Sequence, residues 1–211
     1  MPLLKLEKIN NNSFWCIWEI TESEDQLKKL VFLSVEGLRE IAGISHPVKV
    51  LERMASRACI QELVRQTGKP YHGLYKDDHD KPYLIDLDYY ISISHSYPYA
   101  VGILHKLLPV GIDIEKPVEK LGRIAHRFLN DAEFEDSKGE LKKLCVYWSG
   151  KEAIYKLNGR TGLNFKKDIR IYPFSLYKRD VIRSDFSTSA GKTRIALNYR
   201  DLGSHIVAYC F

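Results

Sequence analysis

Two stretches decide the fold: SRACIQELVRQTG at residues 56–68 and GKEAIYKLNGRTG at residues 150–162. Each reads as the end of a long helix that stops at Thr-Gly, and each is followed by a loop and then strand-like segments. The shared letters are few, and the shared order of elements is the stronger signal. It points to an internal duplication with halves of roughly 105 residues. The halves fall at residues 1–107 and 108–211. The fold class implied is α+β, with two similar α+β halves. The interface of two such halves is the natural place for a ligand.

Outward from these helices, SFWCIWEI at 13–20 is aromatic and β-branched and reads as a strand. Leu27, Leu30, Val31, Leu38 and Ile41 follow helical spacing, which predicts a helix over 25–42. His46-Pro47 ends it, a helix over about 47–66 follows, and 68–82 reads as loop. Strands are expected at 90–94, 99–105 and 109–114, and one or two short helices over 117–137. The helix at 140–158 closes at Asn158-Gly159, a natural C-cap, and strands are expected near 168–174, 192–200 and 204–211.

The formal net charge is +5, with 28% charged and 45% hydrophobic residues. A modest basic excess suits an anionic ligand or an acidic partner, and falls short of the dense field of a nucleic-acid binder. The cysteines Cys16, Cys59, Cys145 and Cys210 are widely spaced, which argues against a zinc site, and two of them, flanked by apolar residues, read as buried thiols. No apolar run is long enough to cross a membrane, and MPLLKLEKINNNS lacks the apolar stretch of a secretory leader. A reduced, cytoplasmic protein is expected.

Four segments carry candidate chemistry. In Gly111-Ile112-Asp113-Ile114-Glu115, strand alternation puts Asp113 and Glu115 on one face. Paired carboxylates suit a cation, although a solvated strand face shows the same pattern. In Trp148-Ser149-Gly150-Lys151-Glu152-Ala153-Ile154-Tyr155-Lys156, spacing of four puts Trp148, Glu152 and Lys156 on one helical face. A surface Glu–Lys pair would look the same, except that the tryptophan argues for partial burial. Ile91-Ser92-Ile93-Ser94-His95-Ser96 reads as a strand running into a turn that exposes Ser94, His95 and Ser96. Adjacent Ser and His rarely reach each other productively and G-x-S-x-G is absent, so a phosphate contact or a structural histidine is the better reading. Lys81-Pro82-Tyr83-Leu84 holds a lysine on a rigid turn, either a phosphate contact or a solvated loop lysine.

In order, K-P-x-L, S-x-S-H-S, V-G-I-D-I-E, F-x-x-x-x-E at Phe128–Glu133 and W-S-x-K-E-A-x-x-K resemble the signature series of the 4′-phosphopantetheinyl transferases. The series is similar to the larger, single-chain class rather than the small trimeric class. That resemblance implies a pseudo-two-fold fold with coenzyme A in the cleft between the halves, and a monomer. It implies a holo-carrier-protein synthase that moves the phosphopantetheine arm of coenzyme A to a serine of an apo acyl or peptidyl carrier protein, releasing 3′,5′-ADP. Mg²⁺, or Mn²⁺, is implied on Asp113, Glu115 and Glu152. Lys151 and Lys156 would stabilise charge on the phosphates, and Glu152 would take the serine proton, directly or through a metal-bound water, with Glu133 a further candidate. Arg57, Lys81, Ser94 and His95 match positions that contact coenzyme A near the adenosine and its 3′-phosphate, with Arg53 a rival to Arg57. Asp80 stands where the family commonly has glycine before Lys-Pro. Carrier docking is placed on 116–140, where Lys120, Arg123, Arg127, Leu121 and Phe128 are expected at the surface. A metal-dependent phosphohydrolase or nuclease would explain the carboxylates without the ordered K-P-x-L and S-H-S elements. A non-catalytic carrier- or nucleotide-binding module would not need all three carboxylates.

Overall fold

The computed structural model describes residues 3–178 and 181–211; Met1 and Pro2, which begin the stretch read for a leader, lie outside them. The chain forms two compact units, Met1–Val110 and Gly111–Phe211, each mixing helices with antiparallel sheet.

The first unit contains β1 (Leu3–Asn10), β2 (Ser13–Glu19), α1 (Glu24–Leu30), α2 (Val35–Ala42), α3 (Pro47–Arg65), β3 (Leu74–Lys76), β4 (Pro82–Leu84), β5 (Tyr90–Ser96) and β6 (Tyr99–His105). Its main sheet runs β1-β2-β6-β5, and β3 pairs with β4 in a small separate ribbon. The ribbon lies where the sequence reads as loop. The expected single helix over 25–42 is two. Ser34 Oγ accepts the Gly37 amide at 3.2 Å and so caps α2. The break is held from α3, where Gln61 accepts the Phe32 amide at 2.8 Å and donates to the Leu30 carbonyl at 2.9 Å.

The helix α3 lies over the sheet, burying Met54, Cys59, Ile60 and Leu63 with Cys16, Trp18, Ile91 and Leu104. Full burial of such side chains is worth roughly 1.5–3 kcal/mol each. Pro47 at the start of α3 fits its first turn, where no amide is needed for the helix.

The second unit contains β7 (Gly111–Glu115), α4 (Glu119–Phe128), α5 (Asp131–Ser137), α6 (Leu141–Leu157), β8 (Ile169–Ile171), β9 (Ile182–Thr188), β10 (Gly191–Asp201) and β11 (Ile206–Cys210). Its sheet order is β7-β11-β10-β9-β8. The strand β9 was not expected. Its buried positions include Ser184 and Asp185, which blur the apolar alternation. In each unit the strand before the helices pairs with the last strand, and the last strand pairs with the one before it: β2-β6-β5 and β7-β11-β10.

The approach of α6 to β7 is close enough that a Cβ on Gly111 would stand 1.8 Å from the Ala153 carbonyl oxygen. Leu144, Val146, Tyr147, Ile154 and Leu157 of α6 fill the core beneath, with Ile169, Leu197 and Ala208 of the sheet. All four cysteines are buried and free. Among the described residues no helix is long and apolar enough to cross a membrane.

Candidate active site

The strand β7 sits at one edge of its sheet, paired with β11 so that Asp113 stands opposite Ala208. Alternation sends Gly111, Asp113 and Glu115 toward α6, where each meets a different residue. Gly111 abuts Ala153. Asp113, 3% exposed, accepts from Lys156 Nζ at 2.7 Å, and Lys156 also donates to the Ile112 carbonyl at 3.1 Å. Glu115 Oε1 accepts from the Trp148 indole nitrogen at 3.1 Å. Trp148 is itself wedged against Phe128 and Phe165, with ring centroids at 5.0 and 5.6 Å.

Glu152 lies on the same face of α6, between Trp148 and Lys156. Burial pushes its carboxyl up to about 7, helped by the negative charges of Asp113 and Glu115 and opposed by Lys156 and Arg160. Asp113, Glu115, Glu152 and Lys156, the four charged residues singled out on the strand and the helix, therefore form one electrostatic cluster. A carboxyl poised near neutrality can accept a proton and return it at working pH.

Among the described residues, no three His, Cys, Asp or Glu side chains converge tightly enough to hold a metal as they stand. Asp113 instead faces Lys156, and Glu115 faces Trp148. The donor set fits a hard divalent cation in kind: partly buried carboxylates that repel one another are relieved by a positive ion, and Mg²⁺ takes carboxylate oxygens.

Two expected participants lie elsewhere. Lys151 points into the core, fully buried, with Glu133 Oε2 at 2.7 Å and the carbonyls of Phe165 and Ile169 each at 2.7 Å. An ammonium has three donors, and all three are used, so the expected phosphate contact is corrected to an internal one. Burial drives the Lys151 pKa down, against the Glu133 charge that holds it up. Glu133 is equally enclosed: it accepts from the Asn130 amide at 2.9 Å and the Ile171 amide at 2.8 Å, which leaves no room for a role as base. Leu121 and Phe128, expected at the surface, are buried.

In the first unit, two of the residues matched to coenzyme A contacts, Arg57 and His95, are held by carboxylates the sequence reading missed. Arg57, 2% exposed, pairs with Glu40 and donates to the Arg53 carbonyl at 3.0 Å. Glu40 also takes Arg53 at 3.4 Å and Lys76 at 2.8 Å, so the two rival arginines meet on one group. Burial works against the Glu40 charge, but Lys76, Arg57 and Arg53 together hold its pKa below the usual carboxylate range.

Ser94 and His95 lie within β5, opposite Val101 and Ala100, rather than in the turn beyond it. His95 Nδ1 is 3.3 Å from Glu52 Oε2, and Glu52 also meets Lys49 at 2.7 Å and the Tyr97 amide at 2.9 Å. Burial would raise the Glu52 carboxyl, yet His95 and Lys49 hold it down at about 2. Lys81 lies over the Tyr83 ring at 5.8 Å. Asp80 adopts φ 62°, a left-handed conformation that glycine reaches freely and that aspartate tolerates.

A partly buried carboxylate cluster facing a lysine, shared between an edge strand and a long helix, marks the candidate site of this α+β protein. Residues 109–210 match the model of the 4′-phosphopantetheinyl transferase superfamily. This portion, nearly all of the second unit, is similar to that superfamily, a likeness that supports phosphopantetheinyl transferase activity in general. No curated protein matches the chain.

Proposed function

We propose that the protein transfers the 4′-phosphopantetheine arm of coenzyme A to a serine of an apo acyl or peptidyl carrier protein and releases 3′,5′-ADP. The observation that carries this reading is the Asp113–Glu152–Lys156 cluster inside the portion that matches the transferase superfamily. Mg²⁺ held by Asp113, Glu115 and Glu152 would draw charge from the pyrophosphate during phosphoryl transfer.

The remaining chemistry belongs to the chain. The serine oxygen forms a bond to the phosphorus that bears pantetheine, and the bond from that phosphorus to the bridging oxygen breaks. Glu152 would take the serine proton, directly or through a metal-bound water. Lys156, held beside Asp113, supplies fixed positive charge as the leaving phosphate gains negative charge.

The carrier would dock on α4. Lys120, Arg123 and Arg127 are exposed on it and Lys116 just before it, while Leu121, Ala125 and Phe128 face inward. A basic face of this kind steers an acidic partner.

Incubation with an apo carrier protein, coenzyme A and Mg²⁺, followed by intact mass measurement, tests the reading. The expected result is one added phosphopantetheine per carrier, with 3′,5′-ADP released only when carrier is present. Carrier-independent cleavage of coenzyme A would instead indicate a phosphohydrolase.

A further inference from the structure

Among the described residues of the second unit, the buried Lys151–Glu133 pair is the most enclosed ion pair, with side chains 0% and 1% exposed. It joins four pieces of chain. Glu133 belongs to α5 and closes its capping box with Asn130. Lys151 belongs to α6. The Phe165 and Ile169 carbonyls bring in the loop before β8 and the start of β8, and the Ile171 amide brings in its end.

Successive residues of an α-helix point about 100° apart. Fixing Lys151 inward therefore fixes the direction of Glu152. The adjacent Gly150 seats the same turn on the sheet, since a Cβ there would lie 2.7 Å from Leu197 Cδ2 and 2.9 Å from Ile171 Cδ1. One turn earlier Trp148 reaches Glu115, and one turn later Lys156 reaches Asp113.

We propose that Lys151 and Glu133 are positioning residues: their buried pair fixes the rotation of α6 and so places Glu152 and Lys156 against Asp113, without touching substrate. What the placed residues do rests on the transferase reading above; the placement itself does not. A lone charge in this pocket has no solvent to turn to, so removing one partner is disruptive, whereas removing both charges is tolerated. A displacement of about 1 Å at a reacting group costs on the order of 100-fold in rate.

The test compares Lys151→Met with the charge-neutral double variant Lys151→Met/Glu133→Gln. The readouts are kcat, KM for coenzyme A, and the ¹⁵N–¹H resonance of the Trp148 indole, assigned with Trp148→Phe and recorded where the proteins are folded. The single variant is expected to shift the indole resonance and lose at least about ten-fold in kcat with KM unchanged. The double variant is expected to bring both back toward wild type. A pair that only adds stability would lower the melting temperature and leave the indole resonance in place.

If the single variant does not fold, the double variant decides. Folded, with a wild-type resonance and KM, it upholds the assignment. Folded with a raised KM for coenzyme A and a wild-type resonance, it makes Lys151 a substrate contact and overturns it. Failure of both variants to fold would also overturn it, because the pair would then serve the whole unit rather than one helix. If the wild-type protein turns over no carrier, the transferase reading fails, and the indole resonance still reports whether the helix is held as described.

Discussion

Gly111→Ala is a single methyl placed where the site is tightest. The new Cβ would lie 1.8 Å from the Ala153 oxygen, 2.8 Å from the Ala153 carbonyl carbon and 3.0 Å from the Leu157 nitrogen. All three are backbone atoms of α6, so no side chain can swing aside. Ordinary contacts of carbon lie near 3.5 Å, so strand and helix must part by about 1.7 Å. Overpacking of this kind costs about 1–3 kcal/mol, and each kcal/mol moves the melting temperature of a chain this size by roughly 2–4 °C. The same displacement separates Asp113 from Lys156 and Glu152, for which a rate loss of about 100-fold is expected. Thermal unfolding and steady-state kinetics with an apo carrier measure the two effects. Gly122→Ala is the control, because its Cβ would meet only Leu144 Cδ1 at 3.9 Å and it sits in α4, where alanine favours the helix. A Gly111→Ala protein with wild-type melting and wild-type kcat would refute the argument that this contact sets the site.

Asp113→Ala is expected to lower the rate by about two orders of magnitude, and chelation of divalent ions to abolish turnover; full activity in excess EDTA would remove the metal from the scheme. Lys156→Ala is expected to lose kcat with little change in KM for coenzyme A. His95→Ala is expected to raise that KM about ten- to hundred-fold with kcat little changed, and exchanged profiles would place the ligand the other way round. The Glu52 carboxyl, held near 2 against an ordinary value of 4.5, adds stability that is fully present above pH 4.5 and is lost as pH falls from there toward 2. Glu52→Gln should flatten that part of the acid unfolding curve, and an unchanged curve would show that the pairing adds nothing.

The long helices α3 and α6 were legible because their buried residues recur at helical spacing and their ends carry Gly or Asn-Gly. Other elements depend on partners far along the chain. The break between α1 and α2 has no Pro or Gly to announce it and is held by Gln61, 29 residues from Phe32. The strand β1 carries half-buried and exposed residues in no clean alternation, because it covers one edge of β2. The ribbon β3-β4 consists of three-residue strands, too short for any period to show.

The site divides the same way. Asp113 and Glu115 share a face because strands alternate, and Trp148, Glu152 and Lys156 share one because helices turn every 3.6 residues. Both facts are local, and the packing of α6 on β7 joins them. Lys151 and Glu152 differ in this respect. Both are charged, both sit in mid-helix, and periodicity says only that they point in different directions. Burial usually excludes lysine, so a sequence reading sends both toward ligand. What reverses it is Glu133 on another helix, 18 residues from Lys151, together with two carbonyls that complete the ammonium's shell. Arg57 repeats the pattern with Glu40, 17 residues away, and His95 with Glu52, 43 away by number but packed beside it. A basic residue in a motif can thus serve either a ligand or an internal acid. The deciding quantity is how many of its donors the fold already satisfies: all three for Lys151, while Lys156 is turned to the carboxylate cluster itself.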